Sequence, residues 1–363
     1  MPTRPLVTSY KDELKLFPDM WHQVGLVVAL VFVVAFPFVA DAHWLTVGNL
    51  ALVTIVGATA LMILTGFTGQ ISLGHAAFLA LGAYTAAILG THLGFPFWLI
   101  LPVAGLVAAA VGLLIGPFAL RLHGLYLAIV TLGLMFLVNH ILLSFPSVTR
   151  GVAGIAVPMH NWFPGEGGRT MGSFQTTLEL GRITLGFDQK LFFLFVLITC
   201  GVLWVANNLR RSNAGRAMMA VRDHDTAAAV MGVHVSVVKV IAFGVSSFFA
   251  GVAGAMFAFQ QQYITVDPPF NLIMSVQYVA MVVLGGVGTL FGAVAGAIAF
   301  IVVAPVAEII GRQLPYIQTL SSAQQSTLLF AVIVIGFLLY EPMGLFGIWL
   351  RIKRYFMAWP FKY

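Results

Sequence analysis

One short polar segment of this sequence lies inside a long uncharged run, and its residue types suggest a binding site. The segment reads Gly66-Phe-Thr-Gly-Gln-Ile-Ser-Leu-Gly-His75, and residues 42–120 around it contain no Asp, Glu, Lys or Arg. At about 1.5 Å of rise per helical residue, that run would cross a hydrocarbon core of about 30 Å more than twice, so it must fold back within a bilayer. Polar backbone at membrane depth is stable only where protein or a water-filled cavity covers it. We therefore interpret residues 66–75 as part of a pathway or binding site.

The glycines of this segment suggest how it could hold an anion. Gly66, Gly69 and Gly74 permit close backbone approach and positive φ angles. Ser72 is expected to cap a helix that begins at Leu73, which would leave amide groups and the positive end of the helix dipole pointing inward. Discontinuous helices of transporters present such ends to anionic substrate groups near the bilayer midplane. The segment therefore predicts a cradle for a carboxylate.

Gln70, Ser72 and His75 are the candidate pathway side chains. The same residues also fit a structural role, with Ser72 as a helix cap and the other two as hydrogen-bond partners between helices. A catalytic role is disfavoured because no carboxylate lies in the uncharged run to orient His75, and the nine histidines show no metal-ligand cluster. We expect no catalytic residue and no metal site.

Composition predicts the fold class. The chain is 60% hydrophobic and 8% charged, with a mean hydropathy of +0.99, whereas about a quarter of the residues of soluble domains are charged. We expect an all-α, polytopic integral membrane protein. The segments 66–75 and 285–292 could each be a broken or re-entrant helix, so nine or eleven spans also fit. Apolar runs predict about ten spans, at residues 24–40, 45–65, 73–92, 96–120, 125–145, 191–209, 239–260, 272–290, 292–310 and 327–349.

The basic residues predict the orientation of these spans. Thirteen of the 18 Lys and Arg residues fall in segments that share a side with both termini, which predicts that both termini are cytoplasmic. The positive charge is thus explained by topology, and nucleic-acid binding is not expected. The expected organisation is a cytoplasmic or interfacial segment 1–23, a membrane domain 24–349 with an external loop 146–189 and a cytoplasmic loop 210–238, and a cytoplasmic tail 350–363.

The cytoplasmic loop has the pattern of a docking element. A helix is predicted through residues 215–232, with apolar surface from Met218, Met219, Val221, Val230 and Met231 and with charged neighbours. Packing on its own chain is the alternative. The residues expected to contact a partner are Gly215, Arg216, Arg222, Asp223, Asp225, Ala228 and Gly232.

A second group of glycines predicts close helix packing. Gly288, Gly292 and Gly296 follow one another at intervals of four, which places small residues on one helical face. Gly285 and Gly286 could break a span there and act as a hinge, as a weak counterpart of the first polar segment.

Four elements in order resemble the LivM-like permeases of branched-chain amino-acid ABC importers. They are residues 66–84, 215–222, 250–254 and 283–288, and the resemblance extends over about residues 45–345. It implies a bacterial inner-membrane permease that pairs with a second, related permease, with two cytoplasmic ATPase subunits that use ATP and Mg²⁺, and with a soluble extracytoplasmic binding protein. Residues 215–232 would seat on an ATPase. The chain departs from the shared Glu-Ala-Ala pattern of ABC permeases, because Thr226 stands at the acidic position.

What the sequence lacks agrees with a transport subunit. It has no phosphate-binding loop and no soluble segment large enough for a nucleotide-binding domain, so we expect no cofactor on this chain and no enzymatic activity. The spans carry no charge at their centres, which argues against a secondary transporter. A stand-alone channel or secondary transporter for small amides or amino acids remains the alternative. The resemblance implies branched-chain amino acids as substrates, with urea, short amides and aromatic acids still open.

Overall fold

The structure of the chain, a computed structural model, describes residues 31, 33–121, 124–159, 174, 178–180, 183–311, 321–341 and 343–357. The predicted N-terminal segment 1–23 lies outside the described residues. The same holds for most of residues 160–182 in the predicted external loop and for the last six residues of the tail.

Helices make up most of the described chain, and the all-α prediction is confirmed. Residues 33–39 are helical and precede the first complete helix. The helices are α1 (Ala42–Met62), α2 (His75–Leu93), α3 (Phe97–Arg121), α4 (Leu125–Ser144), α5 (Pro146–Thr149), α6 (Phe187–Arg211), α7 (Asn213–Asp223), α8 (Asp225–Val230), α9 (Val235–Gln261), α10 (Leu272–Gly285), α11 (Leu290–Gly311), α12 (Ser322–Tyr340) and α13 (Gly344–Met357).

Six stretches of the described helices are long and apolar enough to cross a membrane, judged by length and composition. Three shorter apolar helices, at 272–285, 290–303 and 327–336, accompany them. The chain is therefore a multi-pass membrane protein, while the count of ten spans stays a prediction. The six are Ala42–Phe67, His75–Leu93, Phe97–Phe118, Tyr126–Ser144, Phe187–Arg211 and Val235–Gln261.

Short strands join loops at one end of the bundle. Strand β1 (Ile155–Ala156) pairs antiparallel with β4 (Tyr263–Ile264), which follows α9, and the hydroxyl of Thr91 near the end of α2 donates to the carbonyl of Ala156. Strands β2 (Leu178–Leu180) and β3 (Ile183–Leu185) form a second antiparallel pair. The ends of α2 and α9 are thus held together by the loop that sequence analysis assigns to the outside.

Helix α9 is central and packs against α1, α2 and α3. Its contact with α2 is backbone to backbone, because a Cβ on Gly254 would lie 2.0 Å from the carbonyl oxygen of Leu79, and one on Gly82 would lie 2.0 Å from that of Gly251. Small residues allow membrane helices to approach in this way and gain van der Waals contact.

Three predicted helix boundaries were wrong. The helix predicted through 215–232 is two helices, because His224 between α7 and α8 has extended backbone angles. The final predicted span 327–349 ends at Tyr340, and α13 begins separately at Gly344, whose φ of +62° is left-handed and so cannot continue α12. Helix α2 begins at His75 and not at Leu73. The first two breaks fall at polar or proline-containing sequence, residues 222–225 and 341–342, which the predicted helices ran through.

Candidate functional site

The polar segment 66–75 begins where α1 ends. Helix α1 continues into a π-helical turn, Ile63–Phe67, so the helix from Ala42 to Phe67 has 26 residues. At about 1.5 Å per residue it is roughly 39 Å long, more than the hydrocarbon core of about 30 Å. The segment therefore follows a helix long enough for a complete crossing, and its position near the midplane stays a prediction. The uncharged run extends past the segment on both sides, so composition could not indicate its depth.

Side chains alternate in exposure along the non-helical part of this segment. Gly69 and Ile71 are exposed, and Ile71 is 45% exposed, whereas Gln70, Ser72 and Gly74 are buried within the chain. The polar candidates therefore point into the bundle. The outward edge of the segment consists of Ile71 and backbone.

Three amides at the start of α2 are occupied within the chain, which leaves fewer donors for the predicted anion cradle. The amides of Leu73, Gly74 and Ala76 are already hydrogen-bonded within the chain. Their acceptors are the hydroxyl oxygens of Thr131, Ser72 and Ser275, at 3.0, 3.3 and 3.0 Å. Ser72 bonds to the backbone, as a cap would, but it serves the amide of Gly74 before the helix and not a helix that starts at Leu73. The sequence could not show that α4 and α10 supply the other two hydroxyls.

His75 is packed inside the bundle. Its ring lies edge-on to the ring of Tyr278 from α10, with centroids 4.9 Å apart, and it makes a hydrogen bond to the backbone of Gly57. Tyr278 in turn covers Gly57, where a Cβ would lie 2.6 Å from its ring. The Nε2 atom of His75 is buried without a partner among the described residues. His75 thus joins α1, α2 and α10, as the structural alternative anticipated.

Gln70 links the segment to the charged loop. Its Nε2 donates to the hydroxyl of Thr68 at 3.1 Å and to the carbonyl of Lys239 at 3.4 Å. The side chain of Lys239 is only 8% exposed and forms an ion pair with Asp225 of α8, with 2.7 Å between Nζ and Oδ2. Lys239 was missed as a site residue, although a lone charge at the start of an apolar helix was a visible signal.

The structure brings three separate motifs together at Arg222 of α7. Its Nη1 donates to the carbonyl oxygen of Gly66 at 2.9 Å, and its Nε and Nη2 donate to Asp223 at 3.0 and 2.9 Å. A Cβ on Gly66 would lie 2.7 Å from the amide nitrogen of Gly288, and one on Gly288 would lie 2.9 Å from Nη1 of Arg222. The first polar segment, the charged loop and the second glycine group therefore form one cluster.

The second glycine group lies in a close crossing of α10 and α11. Cβ atoms added to Gly285, Gly292 and Gly296 would clash with backbone, and Gly286 and Gly288 turn the chain between the helices with φ of +118° and +81°. The geometry fits the predicted packing role, while a hinge role stays a prediction. The clashes are 1.8 Å for Gly285 with the Gly292 carbonyl, 2.5 Å for Gly292 with that of Gly286, and 2.0 Å for Gly296 with that of Met281.

Four of the five apolar residues of the loop divide into two groups, and the fifth, Met219, is half-buried. Met218 and Val221 are buried against the chain itself, so the prediction that they offer apolar surface to a partner was wrong. Val230 and Met231, at the end of α8, are 88% and 83% exposed. Helical periodicity shows which residues share a face, but it does not show which face the bundle covers.

The other loop residues that were expected to contact a partner differ in their burial. Gly215 and Ala228 are buried, and a Cβ on Gly215 would lie 2.0 Å from the Leu209 carbonyl oxygen. Arg216 is exposed and hydrogen-bonds to Asn213. Gly232 is exposed at φ +86°, and no heavy atom of the described residues lies within 4 Å of its Cβ position.

Comparison with known proteins identifies the family. The family described as branched-chain amino acid transport system, permease component, matches residues 44–340. The high-affinity branched-chain amino acid transport system permease protein LivM of Escherichia coli is 36% identical over 287 residues, which cover 77% of this chain and 67% of that protein. The LivM protein of Salmonella typhimurium is 34% identical over the same shares. No solved structure matches this chain. The chain therefore belongs to the family of permease components of branched-chain amino acid transport systems.

Proposed function

We propose that this chain is a permease subunit of an ATP-driven ABC importer for branched-chain amino acids. Its partners would be a second, related permease, two cytoplasmic ATPase subunits that bind ATP and Mg²⁺, and a soluble binding protein outside the membrane. We place the assembly in the bacterial inner membrane, with both termini in the cytoplasm and no cofactor on this chain. The observation that carries the proposal is the contact of α7 with segment 66–75, because it joins a charged loop to the polar break in the membrane helices.

The exposed edge of segment 66–75 is the proposed pathway wall. Among the described residues, no atom accepts a hydrogen bond from the backbone amide of Ile71. Within a membrane protein such a group needs water, a partner chain or a substrate as its acceptor. We infer that this edge faces the second permease across an aqueous route, and that Gln70, Ser72 and His75 support it from behind. The exposed aliphatic side chain of Ile71 suits an aliphatic cargo.

The end of α8 is the proposed ATPase contact. Val230 and Met231 are an exposed apolar pair in a charged, non-membrane loop, and water disfavours leaving such a pair bare. Asp223, seven residues before Val230 at the end of α7, has a side chain that is 68% exposed. A partner that covers the pair would move α7 and α8 directly.

Co-purification tests this assignment. Val230→Ser with Met231→Ser is expected to lower retention of the ATPase subunits at least about tenfold, because two buried apolar side chains contribute about 3 kcal/mol or more to an interface. Val152→Ser is the matched control, because Val152 is 85% exposed at the opposite end of the bundle. Unchanged retention in the double variant would refute the contact.

Transport in proteoliposomes distinguishes an ABC importer from a stand-alone channel or secondary transporter. The assembled complex should accumulate leucine only with ATP and the binding protein, whereas a stand-alone channel or secondary transporter would act without either. Uptake by the lone chain would overturn the proposal. Competition by isoleucine, valine, urea, short amides and aromatic acids in the same assay would identify the substrate class.

A further inference from the structure

We propose that Arg222 is a positioning residue that joins α7 rigidly to both glycine breaks, so that movement of the loop displaces the two breaks together. This inference rests on the proposed importer function. It assigns to Arg222 the link between the loop of α7 and α8, which would contact the ATPase, and segment 66–75, which would line the pathway. Arg222 was expected to contact a partner, and its hydrogen bond to Gly66 gives it a second role within this chain.

The π-helical turn makes an acceptor available to Arg222. In a regular α-helix the carbonyl of Gly66 would accept from the amide four residues later, at Gln70. Here the amide of Gln70 bonds to Leu64 instead, at 3.4 Å, and the amide of Gly69 bonds to Thr65. The carbonyl of Gly66 is thereby released from the helix, and the guanidinium of Arg222 donates to it at 2.9 Å. π-Helical turns commonly occur at functional sites.

The guanidinium is held in one orientation. Asp223 accepts from Nε and Nη2, which leaves Nη1 directed at Gly66. This arrangement uses all three nitrogens of the planar group. A lysine keeps the charge but lacks the planar fork, so it cannot bond to both partners in this geometry.

Three glycines provide the space that this side chain occupies. A Cβ on Gly69 would lie 3.1 Å from Cγ of Arg222, and one on Gly288 would lie 2.9 Å from its Nη1. Both glycines also have positive φ, at +69° and +81°. Gly66 and Gly288 touch each other beside the guanidinium, since a Cβ on Gly66 would lie 2.7 Å from the amide nitrogen of Gly288. Arg222 therefore contacts both breaks at the point where they meet.

The first experiment compares Arg222→Lys and Arg222→Gln in the full complex in proteoliposomes. We expect uptake per ATP hydrolysed to fall about tenfold in both variants, beyond any loss of ATPase subunits from the complex, as loss of a charge-assisted hydrogen bond predicts. Arg354→Gln is the matched control, because Arg354 is exposed on α13. Wild-type uptake per ATP in Arg222→Gln would overturn the link. An equal loss of assembly and of uptake would also overturn it, because it would indicate a purely structural role.

Replacing the contact between Arg222 and segment 66–75 with a disulfide gives a second, independent measurement. The Cβ position of Gly69 lies 3.7 Å from Cβ of Arg222, within the range that disulfides span. Gly69→Cys with Arg222→Cys, in a Cys200→Ser background, should transport poorly when reduced and regain uptake when oxidised. If oxidation abolishes the residual uptake, the contact must open during transport and the rigid link is wrong. Absence of ATP-dependent uptake in the wild-type complex would instead refute the importer function itself.

Discussion

Replacing Gly74 with alanine tests how closely α2 and α4 must approach. The φ of Gly74 is −96°, which alanine adopts without strain, so only the contact determines the outcome. A Cβ would lie 2.3 Å from the carbonyl oxygen of Thr131, whereas ordinary contacts begin at 3.4 Å. The two backbones must therefore separate by about 1 Å. This movement would stretch the 3.0 Å hydrogen bond from the Leu73 amide to the Thr131 hydroxyl beyond bonding distance.

The cost of Gly74→Ala follows from these two effects. Overpacking of a tight contact costs about 1–3 kcal/mol, and leaving a buried amide without its acceptor costs about 1–3 kcal/mol. Because the relaxation that relieves the first effect causes the second, we expect the free energy of unfolding to fall by about 2–4 kcal/mol. Thermal denaturation of the purified complex in detergent, followed by tryptophan fluorescence, measures the change.

Two other glycines provide controls for this substitution. Gly133 of α4 and Gly201 of α6 have no heavy atom within 4 Å of their Cβ positions in the part of the chain that the structure describes. Alanine there should be neutral or stabilising by up to about 1 kcal/mol, because it favours the helix. If Gly74→Ala denatures at the same temperature as these controls, the close approach of the two backbones is wrong.

Two further predictions concern polar contacts between helices. Ser275→Ala should lower the free energy of unfolding by about 1–2 kcal/mol in the same assay, because the buried amide of Ala76 loses its acceptor at 3.0 Å. Stability equal to that of the wild type would contradict this hydrogen bond. Asp225→Asn should cost about 1–3 kcal/mol, because it leaves the nearly buried ammonium of Lys239 without its carboxylate. Adding Lys239→Met should restore most of that loss, and a strictly additive double variant would refute the pair.

Several features of the candidate site could be predicted from local sequence. The glycine-rich break was recognisable because polar residues are costly in an uncharged run at membrane depth. The separate loop was recognisable because charges return there after Leu209. The close crossing near Gly285 followed from the spacing of small residues, since that spacing places them on one face of any helix.

The direction of each side chain in the break could not be predicted. Gln70 and Ile71 are neighbours in an uncharged stretch, yet the first is buried and the second exposed, because the segment leaves the helix after a π-helical turn. Whether the amides at the start of α2 were free to bind an anion depended on Thr131 and Ser275. These two residues are 58 and 199 residues from the amides that they bind. No local pattern reports contacts over such separations.

The sequence by itself determined the class of protein, because a chain with 8% charged residues and long apolar runs is stable only in a bilayer, where helices satisfy their own backbone. It also determined that the helices are interrupted near residues 66–75 and 285–292. Only the tertiary structure decided that the interruptions at Gly66 and Gly288 meet, and that Arg222 of α7 lies between them. The physical reason is that glycine specifies where backbones are able to approach, whereas the packing of the whole bundle decides which backbones do.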